Sequence, residues 1–585
     1  MECDDGGVAR GNGADIAADY GERGPRRTTG AASVITMTEV PMSPSPETTQ
    51  RYDEMVAAFS WDVPLHYNIG VDVCDKWSHE LARVALIHKP QVGETVEYTF
   101  AEIRRLSNQA ARLMLSSGLS RGDRIAVFLP QMPETAISHV AIYKIGAIAV
   151  PLFTLFGVEA LEYRLADCGA RAVVTDLAGA AKLRSIRKRL PELRIVFTVD
   201  GVSADSVGFH EGLDRQSIHF EPVITEANDP ALIIYTSGTT GPPKGALHAH
   251  RILLGHLPGV ELSHDLTPQA GDRFWTPADW AWIGGLYDVL MPAWHHGLPV
   301  VSHRFEKFDP EAAFQLIDDL GVRNAFLPPT ALKMMRSVAN PRERWRLDMR
   351  SIASGGESLG RELINWGRQT FGLEINEFYG QTECNMVISS CGAIMSGRPG
   401  RMGKAVPGHR VAIVDAVGRE APAGMVGNIA VQRPDPVMLL RYWNNEVATA
   451  QKFIGDWLLT GDQGESDADG FIRFIGRDDD VITSGGYRIG PGEVEDCLLG
   501  HPAVRLAAVV GVPDQMRTEL VKAFVVLHEN IVATELLVRE LQDHVKSKLS
   551  AHEYPRQVEF VSSLPLTATG KIIRRQLRSK DSATP

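Results

Sequence analysis

TSGTTGPPKG, residues 236–245, places Thr236, Ser237, Gly238, Thr239, Thr240, Gly241 and Lys244 within ten residues. Glycine lets main-chain N–H groups turn toward an anion, hydroxyls donate further hydrogen bonds and a lysine adds a full positive charge. The stretch therefore reads as a loop that holds polyphosphate. A Walker-type loop needs Gly-x-x-x-x-Gly-Lys-Ser/Thr, and this one departs from it. Counted from Gly238, the second glycine position holds Pro243, and Gly245 follows Lys244 where a magnesium-holding hydroxyl would stand. Pro242 and Pro243 have no N–H to donate, which leaves phosphate to the left half of the loop. The apolar run ALIIY (231–235) precedes it directly, as a strand entering a loop would.

Outward from this loop, strand and helix patterns alternate. RIAVFLP (124–130), a helical ETAISHVAIYKIG (134–146) and AIAVPL (147–152) form a βαβ unit, and AVVTD (172–176) and RIVFTVD (194–200) continue it. An α/β fold with mainly parallel sheets covered on both faces is expected. At about residue 476 the character changes: GRDDD is charged and glycine-flanked, as a hinge is, and a compact α+β tail follows. In that tail VRLAAVVGV (504–512) and LVKAFVVL (520–527) read as strands, and Leu537, Leu541, Val545 and Leu549 form one apolar helical stripe. Residues 1–50 are rich in Gly, Ala, Thr, Pro and charge and are expected to be disordered, with Met37 or Met42 as possible starts. The expected organisation is a large domain over 51–475, a hinge at 476–480 and a small domain over 481–580.

The 585 residues are 44% hydrophobic with a net charge of −12, enough for buried cores and wrong for a nucleic-acid backbone binder. Six scattered cysteines without a C-x-x-C pair suggest neither a disulfide framework nor a zinc site, so a reducing cytoplasm is expected. No apolar run is long enough to span a bilayer. His248 and His250, two apart, do not share a helix face and have no evident third ligand, which argues against a metal pair. Cys384 and Cys391 read as buried thiols.

Further motifs follow in order: SGGES (354–358), EFYGQTE (377–383), LTGDQG (459–464), GRDDDVITSGGYRIGPGEVE (476–495) and PLTATGK (565–571). With the 236–245 loop they resemble the adenylate-forming superfamily, closest to medium-chain and acetyl-type acyl-CoA synthetases, over roughly residues 60 to 580. The resemblance implies a mobile small C-terminal domain and an ATP site of Thr236, Ser237, Gly238, Thr239, Thr240, Gly241, Lys244, Gly355, Gly356, Glu357, Glu377, Phe378, Tyr379, Gly380, Gln381, Thr382, Asp462, Arg477, Arg488 and Lys571. Within it, Tyr379 packs on adenine, Asp462 binds ribose with Arg477 beside it, Thr382 contacts phosphate and Glu383 is the magnesium ligand. Lys571 bridges the carboxylate and the α-phosphate. The implied coenzyme A path runs along Gly485, Gly486 and Tyr487, with Arg488 and Arg517 as partners for its anionic groups, and Asp479 is the hinge. Thr382, Glu383 and Lys571 are the implied catalytic residues.

A ligase using ATP, Mg2+ and coenzyme A on a carboxylic acid is the function so implied. Acetate-specific members carry tryptophan where this chain has Gly380, so a longer or flatter acid is expected, medium-chain or small aromatic, and tryptophan at 380 is expected to shorten it. Trp280, Trp282, Gly284, Gly285 and Gly380 are the expected acyl-pocket residues. A lysine acetyltransferase acting on Lys571 is the expected regulatory partner. The alternatives are an enzyme that loads a carrier protein and an inert nucleotide-binding homologue.

Overall fold

A computed structural model describes residues 46–236, 242–395, 397, 398, 400–478, 480–484, 487–514, 517–549, 553–566 and 571–581. The phosphate-loop residues Ser237, Gly238, Thr239, Thr240 and Gly241, the hinge residue Asp479, and Gly485 and Gly486 lie outside them. So do the side chains of Tyr487 and Arg488.

The short apolar runs become buried strands, as continuous hydrophobic strands of parallel sheets must. Arg124–Phe128 pairs in parallel with Ile148–Pro151 on one side and Ala172–Thr175 on the other, and Ile195–Thr198 adds to the last. Pro230–Thr236 continues this eight-stranded sheet beyond Ile148–Pro151. A second, nine-stranded sheet carries Ser351–Gly355 and Ile375–Gln381 side by side in parallel, with Cys384–Ser389 turning back antiparallel. A third, antiparallel sheet holds Trp457–Ser466 and Ile472–Arg477. Sheet membership then changes: Ile482–Ser484 and Tyr487–Ile489 belong to a separate small sheet with Val504–Asp514 and Thr518–Leu527.

The small domain meets the large one through an ion pair between Arg473 and Glu493 at 2.8 Å and through a second carboxylate. Asp496, on the helix Pro491–Leu499, accepts from the backbone N–H of Arg361 at 3.3 Å, at the start of the helix Arg361–Phe371. Helix N-termini leave N–H groups unpaired, and this one is capped from the other domain. Gly360 permits the approach: its φ is +76°, and an added β-carbon would sit 1.9 Å from Asp496 Oδ1.

Two expectations change. A helix occupies Pro46–Ala58, so residues 46–50 of the stretch expected to be disordered are helical, where PETTQRYDEMVAA supplies helix formers. In the tail helix Glu535–Lys548, Leu537, Leu541 and Val545 are buried, but Leu549 falls past its last turn and is 38% exposed. Among the described residues no helix is long and apolar enough to cross a membrane.

Candidate active site

The phosphate loop joins two antiparallel strands, Pro230–Thr236 and Lys244–Ala249, with Thr236 opposite Lys244. A Walker-type loop leads from strand to helix, so the hairpin independently separates the two. Tyr163 anchors the loop by donating to the carbonyl of Pro243 at 2.9 Å.

The other motifs converge on one cleft. Tyr379, at the end of Ile375–Gln381, donates its hydroxyl to Asp462 Oδ2 at 2.5 Å. Asp462 follows Gly461, whose φ of +78° turns the chain. Directly across the ladder stands Arg477, with Nε 3.6 Å from Asp462 Oδ1. Burial raises the carboxyl pKa of Asp462, opposed by the charge of Arg477 and the hydrogen bond from Tyr379.

Opposite is the SGGES wall. An added β-carbon at Gly355 would lie 2.7 Å from the Phe378 ring, so Phe378 and Gly355 must pack in direct contact. Gly356, at φ +90°, faces Lys571, whose Nζ is 4.0 Å from where a β-carbon on Gly356 would sit. Thr330 holds Glu357 through its hydroxyl at 3.4 Å. Lys571 therefore reaches the same cleft from the far end of the chain. Desolvation lowers its pKa, while Glu357 and Asp462 work the other way. The residue itself keeps solvent access at the cleft mouth.

Glu383 is buried, and its carboxylate accepts from the hydroxyl of Tyr442. The Lys244 ammonium lies 5.4 Å from the centre of the same Tyr442 ring, linking the phosphate loop to Glu383. Lys452 donates to Gln381 Oε1 at 2.9 Å and to the carbonyls of Leu459 and Thr460 at 3.2 and 3.3 Å. It clamps the EFYGQTE strand onto the LTGDQG strand. Neither Tyr442 nor Lys452 was singled out from the sequence; Tyr442 lies in RYW, a segment without the glycine or charge pattern that marks a site.

Glu377 is an ATP-motif residue facing inward, accepting from the N–H of Leu359 at 3.2 Å. Burial pushes its pKa up to about 7, with Asp496 adding to the rise. A raised carboxyl pKa means the folded state holds a proton that the unfolded chain releases near 4.5. This stabilisation is full below that value and is lost as pH rises to about 7. Glu377→Gln is expected to flatten the fall in urea midpoint between those pH values, by up to about 3 kcal/mol. Identical slopes in both proteins would refute it.

The expected acyl residues divide. Trp282 and Gly284 keep partial solvent access, and Trp282 packs against Phe153 and Phe156 at 5.5 and 6.1 Å. Trp280 is fully buried in the core, and an added β-carbon at Gly285 would meet the carbonyl of Asp279 at 2.5 Å, so these two pack the interior and do not line a pocket. Gly380 also departs from expectation. The space its side chain would take is filled by the backbone of Met386 at 2.4 Å and Asn385 at 2.6 Å. Glycine there allows close strand approach and does not itself open a pocket. Gly380→Trp is expected to lower stability by about 3 kcal/mol, seen as a lower urea midpoint, because backbone cannot yield to a side chain. A normal midpoint with a shorter preferred acid would contradict this.

Arg517 is exposed on the turn between Val504–Asp514 and Thr518–Leu527, and Thr518 pairs with Ser484, just before Gly485. His248 and His250 are fully buried, and among the described residues no cluster of three or more His, Cys, Asp or Glu side chains could hold a metal ion. Cys384 and Cys391 are buried, and burial pushes the Cys391 thiol up to about 12.

The model of the AMP-binding enzyme family matches residues 75–443, and that of the AMP-binding enzyme C-terminal domain matches 493–571. The chain belongs to the AMP-binding enzyme family. It is 36% identical to human mitochondrial acyl-coenzyme A synthetase ACSM4, over 89% of this chain and 91% of that one. It is 35% identical to the acetyl-coenzyme A synthetase of Bacillus subtilis, over 85% and 87%. The crystal structure of the anthranilate CoA ligase AuaEII with anthranoyl-AMP superimposes with a TM-score of 0.82 at 31% identity, over 89% of this chain and 98% of that one.

Proposed function

We propose that the chain is an AMP-forming acid–thiol ligase that activates a carboxylic acid with ATP as an acyl-adenylate, releasing pyrophosphate, and transfers the acyl group to coenzyme A. The observation that carries this reading is Lys571 beside Gly356 and near Asp462, a cation delivered by the small domain to the cleft that Tyr379 and Arg477 line. A carboxylate resists direct attack by a thiol because its carbonyl carbon is shielded by delocalised charge, and joining it to AMP removes the shield. When the carboxylate attacks the α-phosphate, negative charge grows on the phosphoryl oxygens, where a preplaced ammonium stabilises it. Tyr379 bounds the adenine side, Asp462 receives the ribose hydroxyls, and Thr382 with Thr236 and Lys244 faces the phosphates.

Glu383 suits a hard cation: it is a buried carboxylate whose hydrogen-bond partner is the Tyr442 hydroxyl. It would hold Mg2+, which when bound neutralises phosphate charge. Thioester formation uses the same cleft after the small domain turns on the segment around Asp479, withdrawing Lys571 and presenting Gly485, Gly486, Tyr487, Arg488 and Arg517 to coenzyme A. The solvent access of Lys571 also leaves it open to an acetyltransferase, and acetylation would remove the charge adenylation needs. The cytoplasm is the proposed compartment, a reading supported by the scattered cysteines without a C-x-x-C pair.

The aromatic wall of Trp282, Phe153 and Phe156 favours a medium-chain or small aromatic acid over acetate. Each buried methylene adds only about 0.8 kcal/mol, so neighbouring chain lengths are weakly separated. The test is pyrophosphate release across acids from acetate to dodecanoate and benzoate, with and without coenzyme A. Acyl-CoA formation with one or more longer acids supports the reading. Transfer only to a carrier-protein thiol replaces the acceptor, and no release with any acid rejects the ligase.

A further inference from the structure

On the acyl side of the cleft lie polar groups that the proposed reaction does not use. Asp288 sits in a π-helical turn, Leu286–Leu290, inserted between the α-helical segments Ile283–Gly285 and Met291–His295. Such turns are rare and recur at functional sites. Asn385 adjoins a second irregularity, since Met386, the residue after it, has φ +56°. Non-glycine residues hold that backbone state at a cost. Asn385 Nδ2 donates to Asp288 Oδ1 at 2.7 Å and ties the two irregular segments together.

The atoms left over from that bond lie near Gly284 and Gly380. Among the described residues, Asp288 Oδ2 and Asn385 Oδ1 have no hydrogen-bond partner, although the two residues are only 2% and 4% exposed. Asp288 Oδ2 is 3.5 Å from the β-carbon position of Gly284, and Asn385 Oδ1 is 2.5 Å from that of Gly380. Both glycines keep partial solvent access, and the polar pair lies beside them, with the Phe326 ring 2.9 Å from the β-carbon position of Gly284 and the Met386 backbone 2.4 Å from that of Gly380. A third group backs them. His256 is fully buried, its Nδ1 contacts the carbonyl of Ile252 at 2.8 Å, and its Nε2, 3.8 Å from Asp288 Oδ1, has no hydrogen-bond partner.

Burial holds the Asp288 carboxyl well above the usual carboxylate range and pushes His256 down to about 4. Near neutral pH the cluster is therefore uncharged, offering a carboxylic O–H, an amide carbonyl and an imidazole lone pair. An unpaired buried polar group costs about 1–3 kcal/mol, so a cluster serving packing alone would close on itself. Here Asp288 Oδ2 and Asn385 Oδ1, unlike His256 Nε2, are not fully enclosed.

We propose that Asp288 and Asn385 determine acid specificity by hydrogen-bonding a neutral hydroxyl carried by the acid away from its carboxylate. The hydroxyl donates to Asn385 Oδ1 and accepts from the Asp288 carboxyl. An alkylammonium would require an ionised Asp288, which this apolar setting opposes. The assignment rests on the ligase reading and adds to it the chemistry of the acyl group. A site built to bond a hydroxyl rejects analogues without it far better than an apolar pocket separates methylenes, because its own polar groups are left unpaired.

The test compares kcat and KM, by coenzyme A-dependent pyrophosphate release, for hydroxybenzoates against methylbenzoates and for ω-hydroxy against unsubstituted fatty acids. It uses wild type, Asp288→Asn and Asp288→Leu. Wild type is expected to favour a hydroxy acid over its apolar counterpart by about tenfold or more in kcat/KM, chiefly through KM. Asp288→Asn keeps a neutral donor and acceptor and should retain most of that ratio, while Asp288→Leu should abolish or invert it. Should the leucine variant not fold, Asn385→Ala provides the same comparison. Equal or better turnover of the apolar acids by wild type, or an unchanged ratio in the variants, overturns the proposal. A preference for aminomethyl acids that Asp288→Asn destroys overturns it too, in favour of a cation site. Absence of release with every acid tried rejects the ligase reading instead.

Discussion

Replacing Lys571 with alanine is expected to lower acyl-adenylate formation by about 10² to 10³, the usual scale for losing a placed electrostatic stabiliser. Thioester formation from supplied acyl-AMP and coenzyme A should be nearly unchanged. The lysine sits beside Gly356 and is electrostatically coupled to Glu357, Arg477 and Asp462, where charge on the α-phosphate would develop. It belongs to the small domain, whose contacts with the large domain include the Asp496 carboxylate on the N–H of Arg361 and the Arg473–Glu493 ion pair. If that domain turns as proposed, the ammonium leaves with it. Pyrophosphate release from ATP and acid measures the first step, and acyl-CoA from synthetic acyl-AMP measures the second. If both rates fall alike, Lys571 serves both steps or the fold, and the two-orientation mechanism fails.

Asp462→Ala should behave differently, impairing both half-reactions. Its carboxylate belongs to the large domain and, in the proposed mechanism, would remain in the cleft in either orientation, holding the ribose of ATP and of acyl-AMP. Hydrogen bonds to a charged group contribute about 1.5–3 kcal/mol each, so losing two raises KM for ATP by about 10² or more. The variant also leaves the Tyr379 hydroxyl and Arg477 without their carboxylate partner, so Tm must be followed with activity. An ATP KM within threefold of wild type, in a folded variant, would remove Asp462 from the nucleotide site.

Much of this was legible along the chain because the decisive signals are local. A glycine and hydroxyl loop after an apolar strand, strands such as AVVT buried throughout, and strand pairs like Val504–Asp514 with Thr518–Leu527 follow from side-chain size, branching and spacing. The less legible parts depend on partners distant in sequence. Tyr442 meets Glu383 and Lys452 meets Gln381 only because separate strands and loops fold side by side, and nothing in RYW or AQKF announces it. Gly380 illustrates the same limit in reverse, since a missing side chain reads as free volume until Asn385 and Met386 are seen to occupy it.

The sequence by itself determined the α/β class, the family motifs in their order and the residue types that phosphate, ribose and carboxylate chemistry demand. These depend on local pattern and on chemical identity, which survive without coordinates. Only the tertiary structure decided which tryptophans are core and which reach the cleft, and that Lys571 and Gly356, 215 positions apart in the chain (571 − 356), meet at one wall. It also decided that Asp288 and Asn385 pair beside two glycines, since burial and contact are properties of the assembled chain and not of any segment of it.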